Sequence, residues 1–134
     1  MLRSLLSAVM SLSAVCVYAE PVGEKALPLP GEAFVIHGHT AFLIMPEAST
    51  SKPQAWVMYA PTLAGLPGVE EVWMFQRFLD AGIAIAGIDV GESYGNPEGR
   101  NLYTAFYDEL VENRGMESKA RLLARSRGGL MLYN

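Results

Sequence analysis

The sequence has almost no cysteine: Cys16 is the only one among 134 residues, and it lies in an apolar segment at the N-terminus. If that segment is removed on export, the mature chain carries no thiol. Disulfides, thiolate nucleophiles and cysteine-ligated metal sites are then excluded together. The stability of the domain must come from its hydrophobic core.

Basic residues are also scarce. Ten Lys and Arg stand against 14 Asp and Glu, a net charge of −4 at pH 7, and the basic residues form no run. Nucleic acid is therefore not an expected partner. No apolar run reaches the roughly 20 residues that cross a bilayer, so we expect no stable membrane anchor either.

The first nineteen residues differ in character from the rest. Arg3 precedes an apolar run from Leu5 to Val17, and the sequence 17–19, Val-Tyr-Ala, places small side chains where a signal peptidase requires them. This pattern predicts a signal peptide on residues 1–19, cleaved before Glu20, and an exported protein that is periplasmic or secreted. Residues 20–32 are rich in proline and glycine and are expected to form an extended lead-in.

From residue 33 onward, apolar runs alternate with helical patterns. Two apolar stretches joined at residues 37–39 predict a β-hairpin, and continuous apolar runs predict buried strands at 55–60 and 83–90. A third strand is predicted at 120–124. Helical spacing follows each of these strands, over 69–80, around 102–110 and from 130. The order predicts an α/β domain: a three-layer sandwich with a mostly parallel central sheet and an antiparallel N-terminal hairpin. The last pattern gives barely one helical turn, so 33–134 is expected to be the N-terminal portion of a larger domain.

His37 and His39 flank the turn of the predicted hairpin. Two histidines one residue apart could ligate a metal, but no third candidate ligand lies nearby in the sequence. Turn residues of this kind are mostly solvated, and that interpretation is preferred. We expect neither a metal nor a cofactor.

The segment Arg125-Ser126-Arg127-Gly128-Gly129 joins the third of these strands, 120–124, to a helix. A strand, a tight turn with a serine at its tip and a helix directly behind it are the parts of a nucleophile elbow. The positions two before and two after the serine, Ala124 and Gly128, must be small so that strand and helix can pass, and Gly129 is expected to give further room. The pattern predicts Ser126 as a catalytic nucleophile; an ordinary turn serine is the alternative.

Ser93 is a competing candidate, because Gly91-Glu92-Ser93-Tyr94-Gly95 matches the string G-x-S-x-G literally. However, residues 96–99, Asn-Pro-Glu-Gly, follow at once, and no helix can begin at Ser93 with those residues in its first turns. Ser126 has the helix that an elbow requires. Ser126 is therefore preferred over Ser93.

The order of these elements resembles the first half of the α/β-hydrolase fold. The resemblance covers residues 33–134 and includes the loop Tyr59-Ala60-Pro61-Thr62-Leu63, the segment 89–93 and the Ser126 elbow. The Ser-x-Gly-Gly ending is similar to bacterial exported esterases and to prolyl-oligopeptidase-like serine hydrolases. The resemblance implies a fold that is cut short after the nucleophile elbow.

The resemblance also implies an activity: acyl transfer to water from a carboxylic ester or a peptide bond, on a small-molecule or peptide substrate. Backbone N–H groups of Arg127 and of Thr62 or Leu63 would form the oxyanion hole, because Pro61 has no N–H. The family order runs serine, acid, histidine, and no histidine follows Ser126. The triad Asp or Glu and the His are thus expected beyond Asn134, and this stretch alone is expected to be inactive.

Two questions stay open at this stage. Arg125 and Arg127 flank Ser126, and Asp89 and Glu92 lie on the neighbouring loop. Arg125 and Glu92 could line a pocket for an anionic substrate, or Arg–carboxylate pairs could hold the two loops together, which is preferred. The chain itself could also be a non-catalytic or truncated exported domain instead of an enzyme.

Overall fold

The computed structural model describes residues 25–49, 52–63 and 65–134. The predicted signal peptide lies outside the described residues, as do residues 20–24 of the predicted lead-in. Residues 25–31 lead into the first strand, which begins at Glu32, within the predicted lead-in. Among the described residues, no helix has the length and apolar character that a bilayer span requires.

Strands and helices alternate along the described chain. A short 3₁₀ turn, Val69–Glu71, precedes the first α-helix, and a π-helical turn, Glu109–Asn113, extends the second. The elements are β1 Glu32–Ile36, β2 His39–Ile44, β3 Trp56–Ala60, α1 Val72–Asp80, β4 Ala84–Ile88, α2 Pro97–Asp108, β5 Arg121–Ala124 and α3 Gly128–Leu132.

The strands form one sheet in the order β1-β2-β4-β3-β5. β1 pairs with β2 and β2 with β4, both antiparallel, whereas β3 pairs in parallel with β4 and with β5. The prediction of an α/β fold is confirmed. The expectation of a mostly parallel sheet needs correction: the sheet is mixed, because β2 adds a second antiparallel pairing where the hairpin joins β4.

The core lies on both faces of the sheet. Every residue of β3 and β4 is buried, which agrees with their continuous apolar sequences. On one face, Phe75 of α1 packs edge-on against Tyr59 with ring centroids 5.3 Å apart. On the other, Trp56 packs edge-on against Phe106 of α2 at 6.2 Å, and Met131 of α3 joins the same cluster.

The second helix begins earlier than its apolar pattern indicates. The Asn96 side chain caps α2 by accepting a hydrogen bond of 2.8 Å from the Gly99 N–H, and Pro97 occupies the first helical position. There its missing N–H costs nothing and its fixed φ suits a helix. Residues 96–99 were expected to prevent a helix from beginning at Ser93. They form the N-cap and first turn of α2, which begins four residues after Ser93.

The parallel strands β3, β4 and β5 end at the same edge of the sheet. Three segments gather there: the loop 61–68 after β3, the loop 89–96 after β4, and the turn 125–127 after β5. In open α/β sheets, sites form at this carboxyl edge. All of the predicted site residues belong to these segments or border them.

Candidate active site

Ser126 lies at the tip of the turn between β5 and α3. The Arg125 N–H donates to the Ala60 carbonyl oxygen at 2.8 Å, which continues the pairing of β5 with β3, and the Gly128 N–H donates to the Arg125 carbonyl oxygen at 2.9 Å, which closes the turn. Ser126 has φ of 51° and is exposed. Non-glycine residues seldom adopt this left-handed conformation outside constrained turns, and it is common at functional sites.

Gly128 allows α3 to start against the end of β3. A methyl group placed on Gly128 would overlap the Ala60 carbonyl oxygen and would lie 2.5 Å from the Ala60 carbonyl carbon and 2.8 Å from Pro61 N. At Gly129 the space is open, since the nearest atom to such a methyl group is Tyr133 Cδ2 at 4.0 Å. Gly128 is thus the position at which α3 passes close to the end of β3. The packing of α3 against the sheet does not require a glycine at position 129.

The backbone conformation at Ser126 leads to a stability prediction. Ser126→Gly is expected to raise the free energy of unfolding by about 1 kcal/mol, because glycine adopts a positive φ without steric cost. Ser126→Ala keeps the Cβ atom and is expected to leave stability within about 0.5 kcal/mol of the wild type. Urea unfolding of both variants measures the difference, and equal stabilities would contradict strain at this position.

The predicted oxyanion donors are the N–H groups of Arg127 and of Thr62 or Leu63. Arg127 is the N-cap residue of α3, and Thr62 follows the Ala60-Pro61 segment that Gly128 contacts. Thr62 is 1% exposed, and its hydroxyl donates to the Ile88 carbonyl oxygen. The end of β4 therefore fixes the loop that carries the Thr62 and Leu63 amides.

Lys25 fixes the same loop from the other side. Its ammonium group donates to the Leu63 carbonyl oxygen at 2.9 Å and pairs with the Asp89 carboxylate at 2.9 Å. The Lys25 side chain is only 3% exposed, so the cationic member of this ion pair is buried. Lys25 carries no signal in the sequence, because 64 residues separate it from Asp89 and it lies in a segment without periodicity.

Ser93 differs from Ser126 in its burial and in its backbone conformation. Its side chain is buried at 7% exposure, and its hydroxyl has no hydrogen-bond partner within the described part of the chain. The positive φ in its loop falls on Tyr94, at 48°, and not on Ser93. A methyl group on Gly99 of α2 would lie 2.6 Å from the Ser93 hydroxyl oxygen, so the start of that helix covers the side chain.

The loop that carries Ser93 packs against the Ser126 turn. The Arg127 guanidinium pairs with the Glu92 carboxylate at 3.0 Å and donates to the Tyr94 hydroxyl at 3.3 Å. Gly95 touches the other end of α3, because a methyl group placed there would overlap the Leu130 carbonyl oxygen. Asp89, considered as another arginine partner, is paired with Lys25 instead.

Arg125 pairs with Glu71, a partner that sequence analysis did not identify. Glu71 is 3% exposed and accepts hydrogen bonds from the Tyr59 hydroxyl at 3.0 Å and from the Gly68 N–H at 2.8 Å. In the sequence Glu71 was only an acidic residue in a first helical turn. The structure makes it a buried carboxylate with three donors.

The hydrogen bonds determine the ionisation of this cluster. Burial acts to raise the pKa of Glu71, but hydrogen bonds from Gly68, Tyr59 and Arg125 outweigh burial and hold that pKa below its usual value. Burial, and then the bond to the Glu71 carboxylate, raises the pKa of Tyr59 to about 12. Glu71 is therefore ionised and Tyr59 neutral at neutral pH.

This cluster predicts a pH dependence of stability. Because folding lowers the pKa of Glu71, its carboxylate stabilises the fold above the ordinary value of 4.5 and loses that contribution as the pH falls through the folded-state pKa. Glu71→Gln is expected to cost about 1–2 kcal/mol at pH 7. The difference between variant and wild type should shrink from pH 5 to pH 3, as measured by urea unfolding, and a constant difference would contradict the assignment.

The two histidines lie elsewhere. The His39 Nδ1–H donates to the Asp89 carbonyl oxygen at 2.8 Å, and β2 is three strand positions from β5, or roughly 14 Å at the usual strand spacing. Among the described residues, no hydrogen bond joins His37 or His39 to Ser126. The described ranges also contain no cluster of three or more His, Cys, Asp or Glu side chains.

Comparison with known proteins indicates the fold. No protein-family model matches the chain, and no curated protein sequence matches it. Among solved structures, the crystal structure of the 2,6-dihydroxy-pseudo-oxynicotine hydrolase is similar, with a TM-score of 0.52 and 23% sequence identity. The similarity covers 75% of this chain and 30% of that chain, so the chain spans less than a third of the length of that protein. The described domain thus has an α/β fold like that of a hydrolase.

Proposed function

We propose that the protein is a serine hydrolase in which Ser126 is the nucleophile and the substrate bond is a carboxylic ester or a peptide bond. The observation that carries the proposal is the exposed serine at positive φ between β5 and α3, with Gly128 in contact with the end of β3. A serine in this position presents its hydroxyl above the carboxyl edge of the sheet.

The reaction that these residues support is acyl transfer. The Ser126 hydroxyl oxygen attacks the substrate carbonyl, its proton passes to a general base, and the negative charge forms on the carbonyl oxygen. The backbone N–H of Arg127 and that of Thr62 or Leu63 are the proposed donors to this oxyanion. Collapse of the tetrahedral intermediate expels the alcohol or amine with that proton, and water then releases the acid.

The base and its orienting carboxylate are proposed to lie in residues that follow Asn134 in the complete gene product. This proposal follows from the family order of serine, acid and histidine, and from the distance between His39 and the Ser126 turn. Without a base a serine hydroxyl is a weak nucleophile near neutral pH. Residues 1–134 by themselves are expected to have almost no activity.

The ion pairs bear on the substrate class. Arg125 is paired with Glu71, and Glu92 with Arg127. Each arginine is paired with a carboxylate of the protein, which supports loop fixation over a charged pocket. These contacts favour a small-molecule or peptide substrate whose acyl group is uncharged. The predicted signal peptide, residues 1–19, adds the proposal that the enzyme acts after export, in the periplasm or outside the cell.

The second candidate is a non-catalytic or truncated exported domain. The observation in its favour is that no histidine among the described residues approaches Ser126. The two candidates differ in one property, because only the enzyme turns over substrate.

Turnover tests the proposal directly. The complete gene product, including any residues that follow Asn134, is assayed with a p-nitrophenyl ester and with a peptide p-nitroanilide. Hydrolysis of the ester alone assigns an esterase and hydrolysis of the anilide adds a peptidase; in both cases a fluorophosphonate should stop the reaction. A well-folded protein that hydrolyses neither compound and does not react with the fluorophosphonate would contradict the proposal and favour the non-catalytic domain.

A further inference from the structure

The side chain before the proposed nucleophile has an unusual anchor. Arg125 is 49% exposed, yet the carboxylate it pairs with belongs to Glu71, whose side chain is 4% exposed. The Glu71 carboxylate is itself fixed by the Tyr59 hydroxyl at 3.0 Å and by the Gly68 N–H at 2.8 Å. A half-exposed arginine is thus tied to a buried, fully bonded anion, an arrangement stronger than a pair between two solvated side chains.

The anchor acts on the turn that carries Ser126. The backbone of Arg125 is held at both ends, by the Ala60 carbonyl oxygen at 2.8 Å and by the Gly128 N–H at 2.9 Å. Its side chain adds a third fixed point, on the residue that immediately precedes α1. The turn is therefore tied to β3, to α3 and, through Glu71, to the start of α1.

We propose that Glu71 is a positioning residue for the nucleophile: by fixing Arg125 it restricts the turn, so that the Ser126 hydroxyl stays aligned with the oxyanion donors. This inference rests on the proposed function. Glu71 itself touches no reacting atom, so its removal should slow the attack by Ser126 without preventing it. A small displacement of a reacting group reduces rates strongly, because alignment supplies much of the rate enhancement.

β5, the strand that leads into the turn, offers a matched control. Arg121, four residues before Arg125, pairs with Glu117 at 2.9 Å, and the two side chains are 47% and 31% exposed. This pair has the same chemistry and a similarly exposed arginine, but its carboxylate is not buried and it does not adjoin Ser126. Arg121→Ala therefore removes an equivalent ion pair without affecting the turn.

The experiment measures the second-order rate constant for fluorophosphonate labelling of the complete gene product. The probe forms an oxygen–phosphorus bond at Ser126 and releases fluoride, so it reports nucleophilic attack with no contribution from substrate specificity. Glu71→Gln and Arg125→Ala are each expected to slow labelling about tenfold, and the double variant no more than either single one, because the two residues act as a unit. Every variant should still reach complete labelling, and Arg121→Ala should label at the wild-type rate.

Three outcomes would overturn the proposal. Labelling of Arg125→Ala at the wild-type rate would remove the positioning role while leaving the proposed function intact. If the variants label with the wild-type rate constant but incompletely, they have lost folded protein and not alignment of Ser126, and the positioning role is wrong. A well-folded wild type that does not label at all would overturn the positioning role together with the proposed function. If Glu71→Gln does not fold, Arg125→Ala decides, because Glu71 keeps its hydrogen bonds from Tyr59 and Gly68 in that variant.

Discussion

Gly128→Ala is expected to lower the free energy of unfolding by about 3 kcal/mol or more, because the added methyl group meets rigid backbone and not a movable side chain. It would overlap the Ala60 carbonyl oxygen and lie 2.8 Å from Pro61 N. To make room, α3 must move away from β3, and the Ser126 turn must move with it. We therefore expect loss of fluorophosphonate labelling as well as loss of stability.

Gly129→Ala is the matched control for this prediction. The same methyl group one residue later has 4.0 Å to its nearest neighbour, and alanine is favoured over glycine within a helix by about 0.5–1 kcal/mol. Gly129→Ala is expected to be neutral or slightly stabilising and to label normally. Thermal and urea unfolding measure both variants, and equal destabilisation by the two would contradict the close contact at Gly128.

Ser126→Ala is expected to lower hydrolysis of the p-nitrophenyl ester by at least about a thousandfold and to abolish covalent labelling, because no other group replaces the attacking oxygen. Its stability should stay near that of the wild type. The effect would lie in the chemistry, not in folding, and the unfolding measurements already described separate the two.

Ser93→Ala is the control for this second prediction. The Ser93 hydroxyl is buried and has no hydrogen-bond partner within the described residues. Removing it should leave ester hydrolysis within a few-fold of the wild type and labelling intact. Activity that disappears in Ser93→Ala and persists in Ser126→Ala would move the nucleophile to the literal G-x-S-x-G string.

The elements that the sequence predicted well are those with strong local patterns. β3 and β4 have continuous apolar sequences, which reflect burial on both faces of a parallel sheet. The apolar spacing of α1 and the glycine at position 82, with φ of 74°, determine where that helix lies and where it ends. Ser126 as the candidate likewise came from local order, a strand and a helix on either side of a short turn.

The partners of the strands were less predictable. β2 pairs antiparallel with β4, and this places β2 between β1 and the parallel strands. The continuous apolar sequences of β3 and β4 indicate burial, but not which strand lies beside each of them. For the same reason the mixed character of the sheet could not be predicted from the residues alone.

Two long-range ion pairs of the site were beyond the reach of sequence patterns, whereas a pair between an arginine of the turn and a carboxylate of the neighbouring loop was expected and is present as Arg127–Glu92. Glu71 and Arg125 are 54 residues apart, and Lys25 and Asp89 are 64 apart. Each member occupies a position where a charged residue is common for local reasons, such as a first helical turn or an extended lead-in. Only the packing of the loops at one sheet edge shows that these charges meet.

The position of the covalent bond tests the central claim most directly. The complete wild-type gene product is treated with a fluorophosphonate and digested with chymotrypsin, and the modified peptide is identified by mass spectrometry. Residues 124–130 contain Ser126 as their only serine, and residues 80–94 contain only Ser93. The account predicts the phosphonyl group on Ser126 in peptide 124–130. A modified peptide 80–94, or a well-folded protein with no modified serine, would contradict it.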